Sequence, residues 1–175
     1  IIAHMDKLEE LFSEFSTEGA HSFCQECSVL KQNKPEHSIT DYDRLLPADI
    51  LILSSSFVHK NGRSKPFSQE ELDHVVIPAC NGFLDEHSVT YSAAVKCPFV
   101  KEADMSPTNM EACRQHLRET IRTVSPSLIL ACGNLAMKMV IKKSGITDKR
   151  GKAFPYVDED FSCTVVPIFH PFSVL

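Results

Sequence analysis

Residues 47–56, PADILILSSS, contain the segment that decides the fold. Ile50 to Leu53 form a continuous apolar run of strand length, and three serines follow it. A strand that is apolar at every position is buried on both faces, which is typical of a parallel strand covered by helices on both sides. We therefore predict a buried parallel strand over 50–53 that opens into a polar loop at Ser54.

The rest of the chain alternates between helical and strand signals. Strands are predicted at 89–95, 127–132 and 164–169, and helices at 5–15, 69–83, 107–124 and 135–143. Ser68 and Ser106 stand where N-caps are expected, and Pro107 suits a first helical turn. This alternation predicts an α/β fold, a three-layer α/β/α sandwich around a four-stranded parallel sheet. In such sheets ligands bind beyond the carboxyl ends of the strands.

Length and composition indicate a single globular domain. The chain has 175 residues, of which 43% are hydrophobic and 23% charged, and this balance excludes disordered, collagen-like and coiled-coil proteins. No apolar run approaches the roughly 18–20 residues of a membrane helix, and the chain does not open with a signal-peptide pattern. We expect a cytoplasmic monomer without a membrane partner. Residues 1–4 resemble a vector remnant, so the predicted domain spans 5–175.

Charge is unevenly distributed along the chain. The net charge is −5, yet residues 138–152 hold six lysines and arginines against one acid, Asp148. Such a cluster can neutralise several phosphates while the rest of the surface stays acidic. The same pattern also fits a solvated helix end and loop.

The seven cysteines fall into two groups. Without a secretory signal the compartment is reducing, so disulfides are not expected. Cys80, Cys132 and Cys163 follow or precede apolar runs and read as core residues. The other four lie in polar surroundings with the spacing C-x2-C and C-x15-C, namely Cys24, Cys27, Cys97 and Cys113. Four thiolates bind zinc or an iron–sulfur cluster, and free loop thiols are the third interpretation.

Five further stretches, taken in order, resemble the iron–sulfur branch (families 4 and 5) of the uracil-DNA glycosylase superfamily. They are Lys96-Cys97, CRQHL at 113–117, PSLILACGN at 126–134, Arg150-Gly151 and PIFHP at 167–171. The resemblance extends from about residue 23 to residue 175. It implies the α/β/α sandwich, single- or double-stranded DNA as partner, and a [4Fe–4S] cluster held by the four cysteines of the C-x2-C and C-x15-C pattern.

The resemblance also assigns the active site, although the chain departs from the family pattern at several positions, among them Ser55 and Ala93. Ser55 stands where the first motif normally has an acidic residue that helps to place water. Ala93 stands where the family has an asparagine that reads the uracil edge. Phe67 corresponds to the phenylalanine that stacks on the extruded base, and His170 to the histidine of the second catalytic motif.

These assignments predict a DNA glycosylase that flips a nucleotide and hydrolyses its N-glycosidic bond. His170 and Ser55 are the expected catalytic residues, because a donor aimed at the departing base stabilises its developing charge. The expected substrate-binding residues are Ser54, Ser56, Phe67, Ala93, Arg150 and Lys152. Because alanine cannot pair with a base edge, we expect a modified base rather than uracil. The alternatives are a nucleic-acid-binding module that keeps fold and cluster without catalysis, and an unrelated zinc-stabilised regulatory domain.

Overall fold

The computed structural model describes residues 24, 27–29, 45–60, 63–82, 85–98 and 100–175. The predicted first helix, the vector remnant and the predicted end of the second helix at Phe83 lie outside these residues. Across the described ranges, no helix combines the length and the apolar character needed to span a membrane.

The molecule is organised around one sheet. Its strands are β1 (Ile50–Lys60), β2 (Arg63–Lys65), β3 (Val89–Pro98), β4 (Leu128–Cys132), β5 (Phe154–Asp158) and β6 (Phe161–Ile168). Five strands lie side by side in the order β3-β1-β4-β6-β5, and the short β2 pairs antiparallel with the end of β1. Strands β3, β1, β4 and β6 are mutually parallel, in register such that Ile50 faces both Val89 and Leu128.

The predicted mixed α/β architecture is confirmed, whereas the predicted number of four strands is wrong. The fifth strand, β5, forms an antiparallel hairpin with β6, with Pro155 opposite Thr164. It escaped prediction because FPYVD is short, contains a proline and is alternately half-buried and exposed over most of its length, features that favour an edge strand or a loop. Strand β1 also continues beyond its apolar run through the serines to Lys60.

The helices begin where their caps predict. Helical segment α1 consists of Gln69–Glu71, a π-helical stretch Leu72–Val76 and Ile77–Cys80, and Ser68 caps it in a complete capping box with Glu71. Helix α2 (Pro107–Val124) begins after Ser106, whose side chain accepts a hydrogen bond from the Asn109 N–H. Helix α3 (Gly133–Ile141) follows β4 directly, and a single turn, α4 (Ile146–Lys149), comes before β5.

Alternate residues of β1 enter two separate cores. Leu51 and Leu53 pack with side chains of α2 and α3 on one face of the sheet. Ile50 and Ile52 pack on the other face with α1. Because both faces carry helices, the described residues form the layered arrangement that the apolar run of β1 indicated.

Candidate active site

Three neighbouring strands deliver the candidate catalytic residues to one edge of the sheet. Strands β1, β4 and β6 are adjacent and parallel, so their carboxyl ends meet. Ser55 lies in β1 just after its apolar part, Gly133 follows β4, and His170 follows β6. Two residues predicted from separate parts of the sequence, Ser55 and His170, are thus brought to the same place.

Gly133 lies against both of these side chains. A Cβ added at Gly133 would lie 3.2 Å from Ser55 Oγ and 3.3 Å from His170 Cβ. The φ angle of Gly133 is +90°, a conformation that other residues rarely adopt. Glycine is therefore required here for two reasons. Other residues rarely adopt this backbone conformation, and a Cβ at this position would crowd Ser55 and His170.

The three serines at the end of β1 have different environments. Ser55 Oγ donates to the carbonyl of Cys132 at 3.2 Å, which leaves its lone pairs able to accept. Ser54 is fully buried, and its Oγ donates to the carbonyl of Ser56 at 3.0 Å. Ser54 therefore stabilises the strand end, and Ser55 is the hydroxyl that faces the Gly133–His170 region.

The amino end of α1 supplies two side chains to His170. The ring centroid of Phe67 lies 5.9 Å from that of His170 with the planes tilted by 37°, and the edge of Tyr91 packs on Phe67 from another side. Phe67 has no exposed surface, so stacking on a base would require a ring face to open. Glu71, which sequence reasoning missed, places Oε1 3.4 Å from His170 Nδ1.

His170 is held between opposing influences. Its side chain keeps only 25% of its surface exposed. Burial lowers the pKa of His170, and the Glu71 carboxylate opposes that shift. The backbone N–H of Phe172 donates to the same Nδ1 atom at 3.2 Å, which leaves Nε2 as the ring nitrogen that is open to a ligand.

Ala93 lies in a filled part of the structure. It is fully buried, pairs with Ser54 across the β1–β3 ladder, and packs against the fully buried ring of Phe57. The sequence analysis placed Ala93 among the expected substrate-binding residues. The ring of Phe57 fills the space beside Ala93. This contact depends on a register shift between Ser56 and Phe57 in the β1–β3 ladder, which the sequence did not indicate.

The basic residues of segment 138–152 have different neighbours in the fold. The Arg150 guanidinium lies over the ring of Phe169, 4.7 Å from its centroid. Phe169 directly precedes His170 in the sequence. The neighbouring Gly151 N–H donates to the carbonyl of Pro167 at 2.8 Å, and Lys152 is exposed. Lys142, by contrast, lies 3.9 Å from Glu111 on α2. Arg150 is therefore the basic residue that the structure brings beside the His170 strand.

The four cysteines of the predicted cluster line one small cavity. Cys24, Cys27, Cys97 and Cys113 are all buried around it, together with Met105 and His116. The Cys27 N–H donates to the carbonyl of Cys24 at 2.9 Å, which closes the C-x2-C turn. Asn109 on α2 fixes this segment through both its amide atoms, at 3.3 Å from Ser28 N and 2.8 Å from Ser28 Oγ.

The chemistry of this cavity suits a cluster that prefers thiolates. His116 is buried and lies 2.9 Å from Cys24 Sγ through Nε2. Burial raises the pKa of Cys113 to about 11, so ligation there would displace a proton. In the described part of the chain, no three or more histidine, cysteine, aspartate or glutamate side chains are arranged to hold a metal ion. A cubane takes one thiolate per iron and spaces its ligands more widely than a single zinc ion does.

A second cavity lies apart from both sites. It has a volume of about 220 Å³ between α2, α3 and β5, and Arg114, Arg118 and Asp158 are among the residues that line it. It shares no lining residue with the His170 region or with the cysteine cavity. Its basic side chains are engaged within the fold, because Arg114 donates to the carbonyls of Met139 and Lys138 and Arg118 contacts Asp158.

Ser55 on β1 and His170 after β6 thus meet across β4, toward the carboxyl ends of the parallel strands, where open α/β sheets bind their ligands. Residues 44–175 match the family model of the uracil DNA glycosylase superfamily. The chain therefore belongs to that superfamily. The matched range includes Ser55, Phe67, Ala93 and His170, together with Cys97 and Cys113. Cys24 and Cys27 lie before it.

One curated relative is a DNA polymerase of Bacillus phage SP01. It is 28% identical over 94 residues, which cover 54% of this chain and 10% of the polymerase. The chain thus resembles a small part of a much longer protein.

Proposed function

We propose that this protein is a DNA glycosylase that extrudes a nucleotide and hydrolyses its N-glycosidic bond, leaving an abasic site. The observation that carries the proposal is the meeting of Ser55 and His170 beside Gly133. Membership of the uracil DNA glycosylase superfamily supports the same reaction. The substrate is DNA, single- or double-stranded, and the protein acts as a monomer.

The reaction places negative charge on the departing base and positive charge on the sugar. His170 Nε2 donates toward the base oxygen, because Nδ1 is already engaged by Phe172 and Glu71. Ser55 accepts from the water that attacks the sugar carbon, since its own proton is directed to the Cys132 carbonyl. A single donor to a developing anion is typically worth about 10²–10³ in rate.

The base selected is a modified base rather than uracil. Ala93 has no donor or acceptor in its side chain, so the bidentate reading of a uracil edge is lost. A site without that pair rejects other bases poorly. Phe67 contacts the extruded base once its ring is uncovered, and the half-buried Ser56 borders the site, whereas the buried Ser54 supports the strand end.

Cys24, Cys27, Cys97 and Cys113 hold a [4Fe–4S] cluster in this proposal. Their common cavity and their burial support it. The cluster's contribution is folding free energy, because ligation ties the segment around Cys24 to the end of β3 and to α2.

The test uses oligonucleotides, duplex and single-stranded, that carry a panel of modified bases, followed by alkali to reveal abasic sites. We expect wild-type protein to cleave at least one base. His170→Ala should lower kcat by about 10²–10³ with DNA affinity nearly unchanged, because the donor acts mainly in the transition state. His74→Ala, at an exposed histidine on α1, is the matched control and should cleave like wild type.

A DNA-binding module without catalysis is the second candidate. The hydroxyl of Ser55 in place of an acid and the methyl of Ala93 in place of an amide favour it. It predicts that no base on the panel is cleaved and that His170→Ala binds DNA as wild type does. That result would overturn the glycosylase proposal.

A further inference from the structure

We infer that Glu71 is a positioning residue for His170: its buried carboxylate orients the imidazole through Nδ1 and supplies the negative charge that Ser55 does not. The inference rests on the proposed glycosylase function, which it deepens. Glu71 comes from α1 rather than from the strand end where the resemblance places an acid.

Each oxygen of the Glu71 carboxylate has its own partner. Oε2 accepts the Ser68 N–H at 2.7 Å and completes the capping box of α1. Oε1 lies 3.4 Å from His170 Nδ1, and the side chain is only 6% exposed. A buried carboxylate is costly unless it is paired. The helix cap accounts for one oxygen, and His170 accounts for the other.

Phe67 makes this placement rigid. It lies one residue before the Ser68 cap, is fully buried, and its ring lies against the His170 ring. The cap therefore fixes both the carboxylate and the aromatic ring that contact His170. Loops rarely hold a side chain this firmly, whereas a capped helix start does.

Two partners compete for His170 Nδ1. The Phe172 N–H, at 3.2 Å, needs the lone pair of this atom, whereas Glu71 Oε1 needs a proton on it. A neutral imidazole carries a proton on one nitrogen only. Phe172 thus favours the neutral ring with its proton on Nε2, and Glu71 favours the ring protonated on Nδ1 as well. In the doubly protonated ring Nε2 still donates to the base, now as part of a cation.

Glu71→Gln separates the charge of this residue from its structural role. Glutamine also completes a capping box, so the cap at Ser68 is kept while the negative charge is lost. At metal sites the loss of a carboxylate that orients a histidine costs about 10- to 100-fold, and we expect a fall of that order in kcat with KM nearly unchanged. Glu70→Gln, an exposed neighbour on the same turn, is the matched control and should behave like wild type.

A second readout does not depend on catalysis. The ¹⁵N shifts of the His170 imidazole report which nitrogen carries a proton. In a pH titration we expect Nδ1 of wild type to gain its proton at a higher pH than Nδ1 of Glu71→Gln, because burial lowers the pKa of His170 and the Glu71 carboxylate opposes that shift. Should Glu71→Gln fold poorly, the wild-type spectrum alone decides, because an Nδ1 without any protonation overturns the pairing.

The outcomes distinguish this inference from the proposed function. If wild type cleaves a base and Glu71→Gln matches Glu70→Gln in kcat and in the imidazole spectrum, the role of Glu71 is overturned and the glycosylase proposal stands. If wild type cleaves no base, the glycosylase proposal is overturned, and the Glu71–His170 pair then has no role in catalysis. The imidazole spectrum then still decides whether Glu71 sets the state of His170.

Discussion

Gly133 sets the distance between the two catalytic candidates. Gly133 lies against both side chains, since a Cβ added to it would be 3.2 Å from Ser55 Oγ and 3.3 Å from His170 Cβ. Any larger residue must push at least one of these atoms away. The His170 ring would then lose its alignment with both Phe67 and Glu71.

We expect Gly133→Ala to destabilise the fold by about 1–3 kcal/mol, because alanine is strained at this positive φ. Displacement of His170 should lower cleavage by about 100-fold in addition. Gly145→Ala is the control for strain alone: its φ is +84°, and its added Cβ meets the flexible end of Lys149 at 3.4 Å. Urea unfolding and the base panel measure the two effects, and equal cleavage by the two variants would contradict the steric argument.

The segment between α4 and β5 is the element that faces DNA in our proposal. Arg150 stacks on Phe169 beside His170, and Lys152 is exposed two residues later. Arg150 donates through Nη1 to the carbonyl of Thr147, and the other N–H groups of the guanidinium are left to bind a phosphate. Phosphates that flank an extruded base would therefore meet this segment first.

Replacing Arg150 and Lys152 together by alanine should weaken binding to all DNA sequences alike. The slope of log affinity against log salt should fall by about one for each lost phosphate contact. The double variant Lys142→Ala with Lys143→Ala removes the same charge at residues that face Glu111 and Phe154. It should leave the slope unchanged, and an equal change in both double variants would show that only net charge matters.

In the molecule as a whole, the cysteine cavity and the His170 site lie in different parts of the sheet. The cavity involves the end of β3, an edge strand, and the amino-terminal half of α2. His170 follows β6, which is separated from β3 by β1 and β4. Because β3 and β6 are parallel, both sites lie toward the carboxyl ends of the strands, with β1 and β4 between them.

Cys113→Ala should abolish an absorbance band at about 400 nm and the binding of iron, because a [4Fe–4S] cluster needs its four thiolates. It should also lower the free energy of unfolding, since ligation contributes to folding. Cys163→Ala is the control, at a half-buried cysteine of β6 outside the cavity. Iron retained at wild-type level in Cys113→Ala would contradict the assignment.

Much of the scaffold could be predicted because local patterns determine it. The apolar run from Ile50 to Leu53 predicts a buried parallel strand, and the Ser68 and Ser106 caps predict where two helices begin. Strand β5 could not be predicted, because an edge strand with a proline lacks both an apolar run and a clear period. The strand exists through its pairing with β6.

The partners of the site residues were harder to predict than the residues themselves. Ser55 and His170 follow from motifs, whereas Glu71 reads locally as a helix cap and nothing more. Its contact with His170 joins residues far apart in the chain, so it depends on how α1 packs beside β6. Phe57 is similar: its contact with Ala93 depends on a register shift in the ladder.

Pro155 in β5 affects how copies of the protein interact at high concentration. β5 is the outermost strand on its side of the sheet, and an open strand edge invites pairing with another copy. Pro155 has no N–H, and in edge strands the nitrogen of proline faces outward. Asp158, at the end of the strand, is already bound by Arg122 at 3.2 Å. The exposed edge of the sheet thus offers an incomplete template, which disfavours pairing with a second copy of the chain.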